Sequence, residues 1–142
     1  GFDRALLKIA EDYSERVNYE YGYIETNDFV IEKKYDMIIL TEVFEHFALN
    51  PVNTMKKIKN ALKDGGRIVF STPDHGHVHI WKNWQEMPSS DDVTLEEYFA
   101  LTRCGHAYQY TKDELLDIFA RVGLKVEKYA RTETGHHNFL LS

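Results

Sequence analysis

Cysteine and long apolar runs are both scarce in this chain of 142 residues. The single cysteine, Cys104, excludes an internal disulfide and is typical of a reducing compartment. No apolar run approaches the roughly 18 residues that a membrane span requires. The N-terminal residues do not show the basic and then apolar pattern of a secretory signal. We therefore expect a cytoplasmic protein with no membrane partner.

Positive charge is also in the minority. The chain has 17 Lys and Arg residues against 23 Asp and Glu residues, a net charge of −6. Nucleic acid binding depends on clustered Lys and Arg side chains, so nucleic acid is an unlikely partner. The composition, with 43% hydrophobic and 13% aromatic residues, is instead typical of one globular domain.

The spacing of apolar residues predicts alternating helices and strands. The expected elements are, in order, a helix over 3–15, strands over 17–21 and 35–40, a helix over 51–62, a strand over 67–71, a short helix over 95–102, a helix over 111–123, and strands over 124–131 and 137–141. This order favours an α/β three-layer sandwich with a mostly parallel sheet and a terminal antiparallel hairpin. Residues 74–105 interrupt it as an insertion, which we interpret as a lid or binding loop.

The stretch from Tyr35 to Phe47 is where chemistry is expected. It begins with a short run of apolar residues on both faces, which predicts a strand buried on both sides. Glu42, Glu45 and His46 follow immediately. Open α/β sheets bind ligands outside the carboxyl ends of their strands, so these ionisable side chains are candidates for a functional site.

Four segments resemble the class I S-adenosylmethionine-dependent methyltransferases. Residues 35–40 are similar to that family's fourth strand, and residues 42–46 to the segment after it. Residues 61–73 resemble its helix, Gly-Gly turn and fifth strand, and residues 111–127 its last helix and sixth strand. The resemblance implies a Rossmann-like fold, S-adenosylmethionine as cofactor, and methyl transfer to an oxygen or nitrogen of a small-molecule acceptor.

One feature of that family is absent from the sequence, namely the glycine-rich loop that wraps the methionine half of the cofactor. The opening residues Gly1 to Asp3 look like the end of the family's second strand. We therefore expect residues 1–142 to form a partial methyltransferase domain, incomplete at the N-terminus. A sheet without its first strand exposes unpaired edges, so we interpret the chain as a fragment, as a truncated paralogue, or as one whose gap a partner fills, with a homo-oligomer through that edge as the hypothesis. A non-catalytic, methyltransferase-like interaction module is the alternative function.

The resemblance also implies five cofactor-binding residues. Asp3 is similar to the acidic residue that accepts hydrogen bonds from the ribose hydroxyls, and it would also serve as a helix N-cap. Ile24 would pack on adenine and Glu25 would contact its polar edge, with a solvated loop as the alternative. Thr41 and Glu42 would face the sulfonium group, where a carboxylate is electrostatically favourable.

Three residues are candidates for catalysis: His46, His106 and Glu42. An imidazole at this place would act as a general base or orient the acceptor, unless it only makes structural hydrogen bonds. On a helical turn Glu42 and His46 would share a face, with Glu45 alongside.

With His106, these side chains could also form a two-Glu, two-His cation site. A similar set occurs in small-RNA 3′-terminal 2′-O-methyltransferases, which makes metal-assisted RNA ribose methylation a further alternative. We favour the interpretation without a metal.

Two further groups are less specific. His75, His77 and His79 would point the same way in an extended segment and could hold zinc, although solvated loop histidines are commoner. His136 and His137 are expected to be exposed in the hairpin turn. Four aromatic side chains would either line an acceptor pocket or form a minor core: Trp81, Trp84, Tyr108 and Tyr110.

Overall fold

The computed structural model describes residues 20–74, 81–102 and 105–142. In these ranges no helix is both long enough and apolar enough to cross a membrane. Several predicted features lie outside the described residues: the helix over 3–15 with Asp3, most of the strand over 17–21, the group His75, His77 and His79, and Cys104.

The described residues form a four-stranded sheet. Its strands are β1 (Tyr35–Thr41), β2 (Leu62–Pro73), β3 (Val126–Arg131) and β4 (His136–Leu141), in the order β1-β2-β4-β3. β1 and β2 are parallel, whereas β4 is antiparallel to both β2 and β3. The α/β fold and the terminal antiparallel hairpin are confirmed. The expected parallel majority is not found in this part of the sheet, because the hairpin supplies two of the four strands.

The described ranges contain three α-helices: α1 (Pro51–Asn60), α2 (Leu95–Leu101) and α3 (Lys112–Val122). α1 begins as predicted, with Pro51 in its first turn and the Asn50 side chain accepting a hydrogen bond from the Val52 N–H. α3 begins with the predicted capping box of Thr111 and Glu114. The short helix expected near residues 95–102 is also present as α2.

The end of α1 differs from the prediction. The helix stops at Asn60, several residues before the two glycines expected to end it. The next residues already pair with the start of β1, where Leu62 lies opposite Tyr35. Gly65, with φ of +75°, then turns the chain within β2, and the register between the strands shifts there. The glycine therefore shapes an irregular strand and does not cap the helix.

The main core lies on one face of the sheet, beneath α1 and α3. Its fully buried members come from strands and helices alike: Met55, Ile58, Ile68, Phe70, Leu115, Ile118, Phe119 and Leu141. The prediction that β1 is buried on both faces is wrong for this structure. Met37 and Ile39 are 55% and 68% exposed, because β1 is at the edge of the described sheet and its second face is largely uncovered.

The four aromatic residues considered for an acceptor pocket belong mostly to the core. Trp84, Tyr108 and Tyr110 are buried in it, and Trp81 packs against its margin. The Tyr110 ring lies 4.7 Å from that of Phe44, between ring centroids. The three buried rings are part of the main core and do not form a separate minor core beneath the insertion. The role of residues 74–105 as a lid stays a prediction.

Candidate functional site

The site is built where β1 and β2 end side by side. The two strands are parallel, and the last residue of β1, Thr41, lies opposite Ser71. The chain beyond β1 turns into a 3-10 helix at Phe44–His46. Because parallel strands present their carboxyl ends at one edge, Glu42 and Thr72 are brought to the same edge of the sheet.

Glu42 occupies an unusual backbone conformation. Its φ of +54° is the only positive value among the non-glycine residues that the structure describes. Its N–H donates to the Ser71 carbonyl at 2.9 Å, and its carboxylate accepts a hydrogen bond from the Ser71 hydroxyl. Carboxylate Oε2 lies 3.2 Å from Nε2 of His136. Backbone strain of this kind is concentrated at functional sites and is maintained only by surrounding contacts.

The expected helical face shared by Glu42 and His46 is therefore not formed. Glu42 precedes the 3-10 helix, and its left-handed backbone conformation turns it toward β2 and β4. Its partners are Ser71 and His136. Its proposed place beside a sulfonium group stays a prediction, as does that of the exposed Thr41.

Glu45 is only 2% exposed. Its Oε2 accepts a hydrogen bond from the Thr72 hydroxyl at 2.9 Å, and its Oε1 lies 3.7 Å from Nε2 of His46. Its backbone carbonyl accepts a hydrogen bond from the Ala107 N–H at 2.8 Å. Glu45 thus joins the end of β2 to the segment that carries His106.

His46 and His106 come together from distant parts of the chain. Their ring centroids are 4.8 Å apart in an edge-to-face arrangement, and both side chains are solvent-accessible. Nδ1 of His46 lies 2.6 Å from the carbonyl oxygen of Gly105. A carbonyl oxygen only accepts hydrogen bonds, so Nδ1 carries the proton and Nε2 of the neutral ring is free to accept one. Nδ1 of His106 lies 3.3 Å from the side-chain nitrogen of Gln109.

Three of the four predicted cation ligands converge in this structure. One ligand atom from each of Glu45, His46 and His106 lies within 4.8 Å of the other two. Glu42 is not part of that group. The arrangement offers one carboxylate oxygen and two imidazole nitrogens to a common point.

The residues expected near adenine, Ile24 and Glu25, lie outside the group of Glu45, His46 and His106. Glu25 is 3% exposed, and its carboxylate accepts hydrogen bonds from the Leu49 N–H at 2.8 Å and the Tyr98 hydroxyl at 3.1 Å. Burial raises the pKa of Glu25, while these hydrogen bonds act in the opposite direction. This burial excludes the solvated loop for Glu25, and its contact with adenine stays a prediction. Ile24 packs against the core and lines an apolar groove beside β1.

His137 was expected in an exposed turn, and that prediction is wrong. The side chain lies in β4 and is buried, with Nε2 2.8 Å from Asp74 and Nδ1 3.0 Å from the Tyr129 hydroxyl. Asp74 also forms an ion pair with Arg131 at 2.6 Å. The period-two pattern of His137, Phe139 and Leu141 was the signal for its burial. No local signal marks His136 as the partner of Glu42, because that contact joins two separate strands.

The sequence of this chain matches one family of known proteins. A family model described as a methyltransferase domain matches residues 5–129. A search of curated proteins gave no significant match.

Several solved structures share the fold. The DhpI–SAH complex has a TM-score of 0.67 at 12% identity, covering 96% of this chain and 60% of that one. A SAM-dependent methyltransferase from Aquifex aeolicus has a TM-score of 0.62 at 12% identity, covering 98% and 61%. NcsB1, an O-methyltransferase from neocarzinostatin biosynthesis in complex with S-adenosyl-L-homocysteine and 1,4-dihydroxy-2-naphthoic acid, has a TM-score of 0.60 at 16% identity, covering 99% and 37%. This chain therefore spans about 40–60% of the length of these neighbours.

Proposed function

Because the chain belongs to the methyltransferase domain family, we propose that this protein transfers a methyl group from S-adenosylmethionine to an oxygen or nitrogen of a small-molecule acceptor. The structural neighbours support the proposal at the level of fold. Two of them carry S-adenosylhomocysteine, and one also carries an aromatic diol. A small acceptor is further supported by the acidic net charge of −6, which is unfavourable for nucleic acid.

The observation that carries the proposal is the meeting of His46 and His106 at the carboxyl edge of β1 and β2. This is the edge at which open α/β sheets bind their ligands. The Gly105 carbonyl fixes the proton of His46 on Nδ1 and leaves Nε2 available. An imidazole in this state can accept a proton from an acceptor hydroxyl.

The proposed reaction is an in-line displacement. A lone pair of the acceptor forms a bond to the methyl carbon while the carbon–sulfur bond breaks, and the sulfonium becomes the neutral thioether of S-adenosylhomocysteine. When the acceptor is a hydroxyl, its proton passes to Nε2 of His46. Much of the rate would come from alignment of the two reactants. Glu42 would place a negative charge near the sulfonium, which stabilises the bound donor.

We predict that S-adenosylhomocysteine binds to the protein and raises its melting temperature, because a ligand that binds only the folded state stabilises it. Isothermal titration calorimetry and thermal denaturation measure both effects. Glu42→Gln is expected to weaken binding, because it removes the charge next to the sulfonium. Glu133→Gln, at an exposed position of the hairpin turn, is the matched control. If the full-length gene product gives neither heat nor a thermal shift, the non-catalytic interaction module is favoured instead.

A further inference from the structure

We propose that Glu45, His46 and His106 bind a divalent transition-metal ion through one carboxylate and two imidazoles. The role of the ion in catalysis depends on the proposed function, but its binding does not. The three residues come from the 3-10 helix after β1 and from the segment before α3. The two segments are joined by the Ala107 N–H, which donates to the Glu45 carbonyl, and by Nδ1–H of His46, which donates to the Gly105 carbonyl.

The distances between the three ligand atoms are close to those found around a bound metal ion. The three ligand atoms lie within 4.8 Å of one another. Bonds of about 2.0–2.2 Å to a common ion would bring them to separations of about 3–4 Å. His46 and His106 are both solvent-accessible. Small side-chain rotations of these two residues would therefore complete the site without moving the buried carboxylate.

Neighbouring groups orient two of the ligands. Nδ1–H of His46 donates to the Gly105 carbonyl, which directs the lone pair of Nε2 toward Glu45. A metal-bound histidine usually donates its second ring N–H to a carbonyl or carboxylate in this way. The Thr72 hydroxyl holds Oε2 of Glu45, and Oε1 is on the side of His46. Both ligands are thus positioned before an ion arrives.

The charge of Glu45 favours a cation. A carboxylate that is 2% exposed has lost most of its hydration, so a positive charge beside it is favourable. Its Oε2 has one neutral hydroxyl donor, Thr72. Its Oε1 faces Nε2 of His46 at 3.7 Å, which is beyond hydrogen-bond distance. A divalent ion between them would bind both atoms and neutralise the carboxylate.

The donor set selects the class of ion. Two imidazoles with one carboxylate suit Mn, Fe, Co, Ni or Zn, whereas Mg and Ca prefer oxygen ligands throughout. Glu42 is not part of this group, and its carboxylate lies beside His136 instead. Three protein ligands leave coordination positions open, as in catalytic metal sites. An acceptor hydroxyl could bind at such a position and lose its proton to solvent water, because Nε2 of His46 would then be occupied by the ion.

The test is direct titration of the metal-free protein with Zn²⁺ and Co²⁺ alone. We expect one ion per chain at this site, with the visible absorption of Co²⁺ reporting nitrogen ligation. His106→Ala, at an exposed position, and the isosteric Glu45→Gln are each expected to abolish this binding. Thr72→Val keeps the shape of the side chain but loses the hydroxyl, and is expected to weaken binding by about 10- to 100-fold. His136→Ala is the matched control and should bind like the wild type.

Two results would overturn the proposal. One is the absence of Zn²⁺ and Co²⁺ binding by the folded wild-type protein. The other is binding that survives unchanged in His106→Ala, which would place the ion elsewhere in the chain. Titration with S-adenosylhomocysteine is independent of both, so loss of cofactor binding would contradict the proposed function and leave the metal site standing.

Discussion

At the scale of single residues, burial distinguishes the acidic side chains from one another. Glu42 is partly exposed and is held by Ser71 and His136, whereas Glu45 is buried beneath the two histidines. Glu25 is also buried, but its carboxylate is satisfied within the fold by the Leu49 N–H and the Tyr98 hydroxyl. Glu25 therefore affects stability, while Glu45 has an oxygen directed toward the candidate site.

Glu25→Gln is predicted to change the pH dependence of stability. Burial raises the pKa of Glu25, so the folded state keeps this proton over a pH range in which the unfolded state has lost it. Stability therefore falls as pH rises from the unfolded pKa, about 4.3, through the folded pKa. Glutamine does not titrate, and its amide would retain the contacts with Leu49 and Tyr98. The variant should therefore gain stability relative to the wild type as pH increases.

Urea denaturation at a series of pH values measures this effect. Glu20→Gln, at an exposed position, provides the control and should follow the wild-type curve. If the difference between Glu25→Gln and the wild type does not change with pH, Glu25 does not hold its proton in the folded state.

At the scale of elements, the helices begin at side chains that cap them. α3 depends on Thr111, whose hydroxyl accepts a hydrogen bond from the Glu114 N–H, while the Glu114 carboxylate accepts one from the Thr111 N–H. The helix ends at Gly123, whose φ of +71° favours glycine. Because α3 covers the sheet with its buried face, its first turn contributes to the stability of the whole core.

Thr111→Ala is predicted to lower the free energy of unfolding by about 1 kcal/mol, because it removes the N-cap hydrogen bond. Chemical denaturation measures the change. The control is Thr102→Ala, which changes an exposed threonine at the C-terminal end of α2. It should alter the free energy of unfolding by less than about 0.5 kcal/mol. Equal effects of the two substitutions would show that the capping box does not stabilise the helix.

At the scale of the whole molecule, the described sheet presents an apolar edge at β1. Met37 and Ile39 are largely exposed there, next to a groove of about 350 Å³ that Ile24 also lines. An uncovered edge strand with apolar side chains favours pairing with another chain. We therefore predict self-association through β1.

Ile39→Lys is expected to shift the protein toward the monomer, because a lysine on an edge strand opposes pairing. Light scattering after size-exclusion chromatography measures the molar mass. The control is Ala130→Lys, which places a lysine on β3 instead. β3 is at the opposite edge of the described sheet, so this variant should leave the assembly unchanged. A wild-type protein that is monomeric over a wide concentration range would contradict the prediction.

The sequence by itself determined the local features. The start of α1 at Asn50 and Pro51, the capping box of Thr111, the end of α3 at Gly123 and the antiparallel hairpin were all predictable. Each depends on interactions between residues a few positions apart, and such interactions leave a readable pattern. The same kind of reasoning predicted a ligand site at the end of an apolar strand, and that site stays a prediction.

Only the tertiary structure decided which side chains meet. Glu42 contacts His136, His46 contacts His106, and Glu25 is buried against Tyr98. These contacts join segments far apart in sequence, so their geometry depends on how separate elements pack and not on local spacing. The exposure of β1 has the same origin, because the burial of a strand depends on the neighbours that cover it. A periodic pattern shows which residues are apolar, whereas packing determines what they contact.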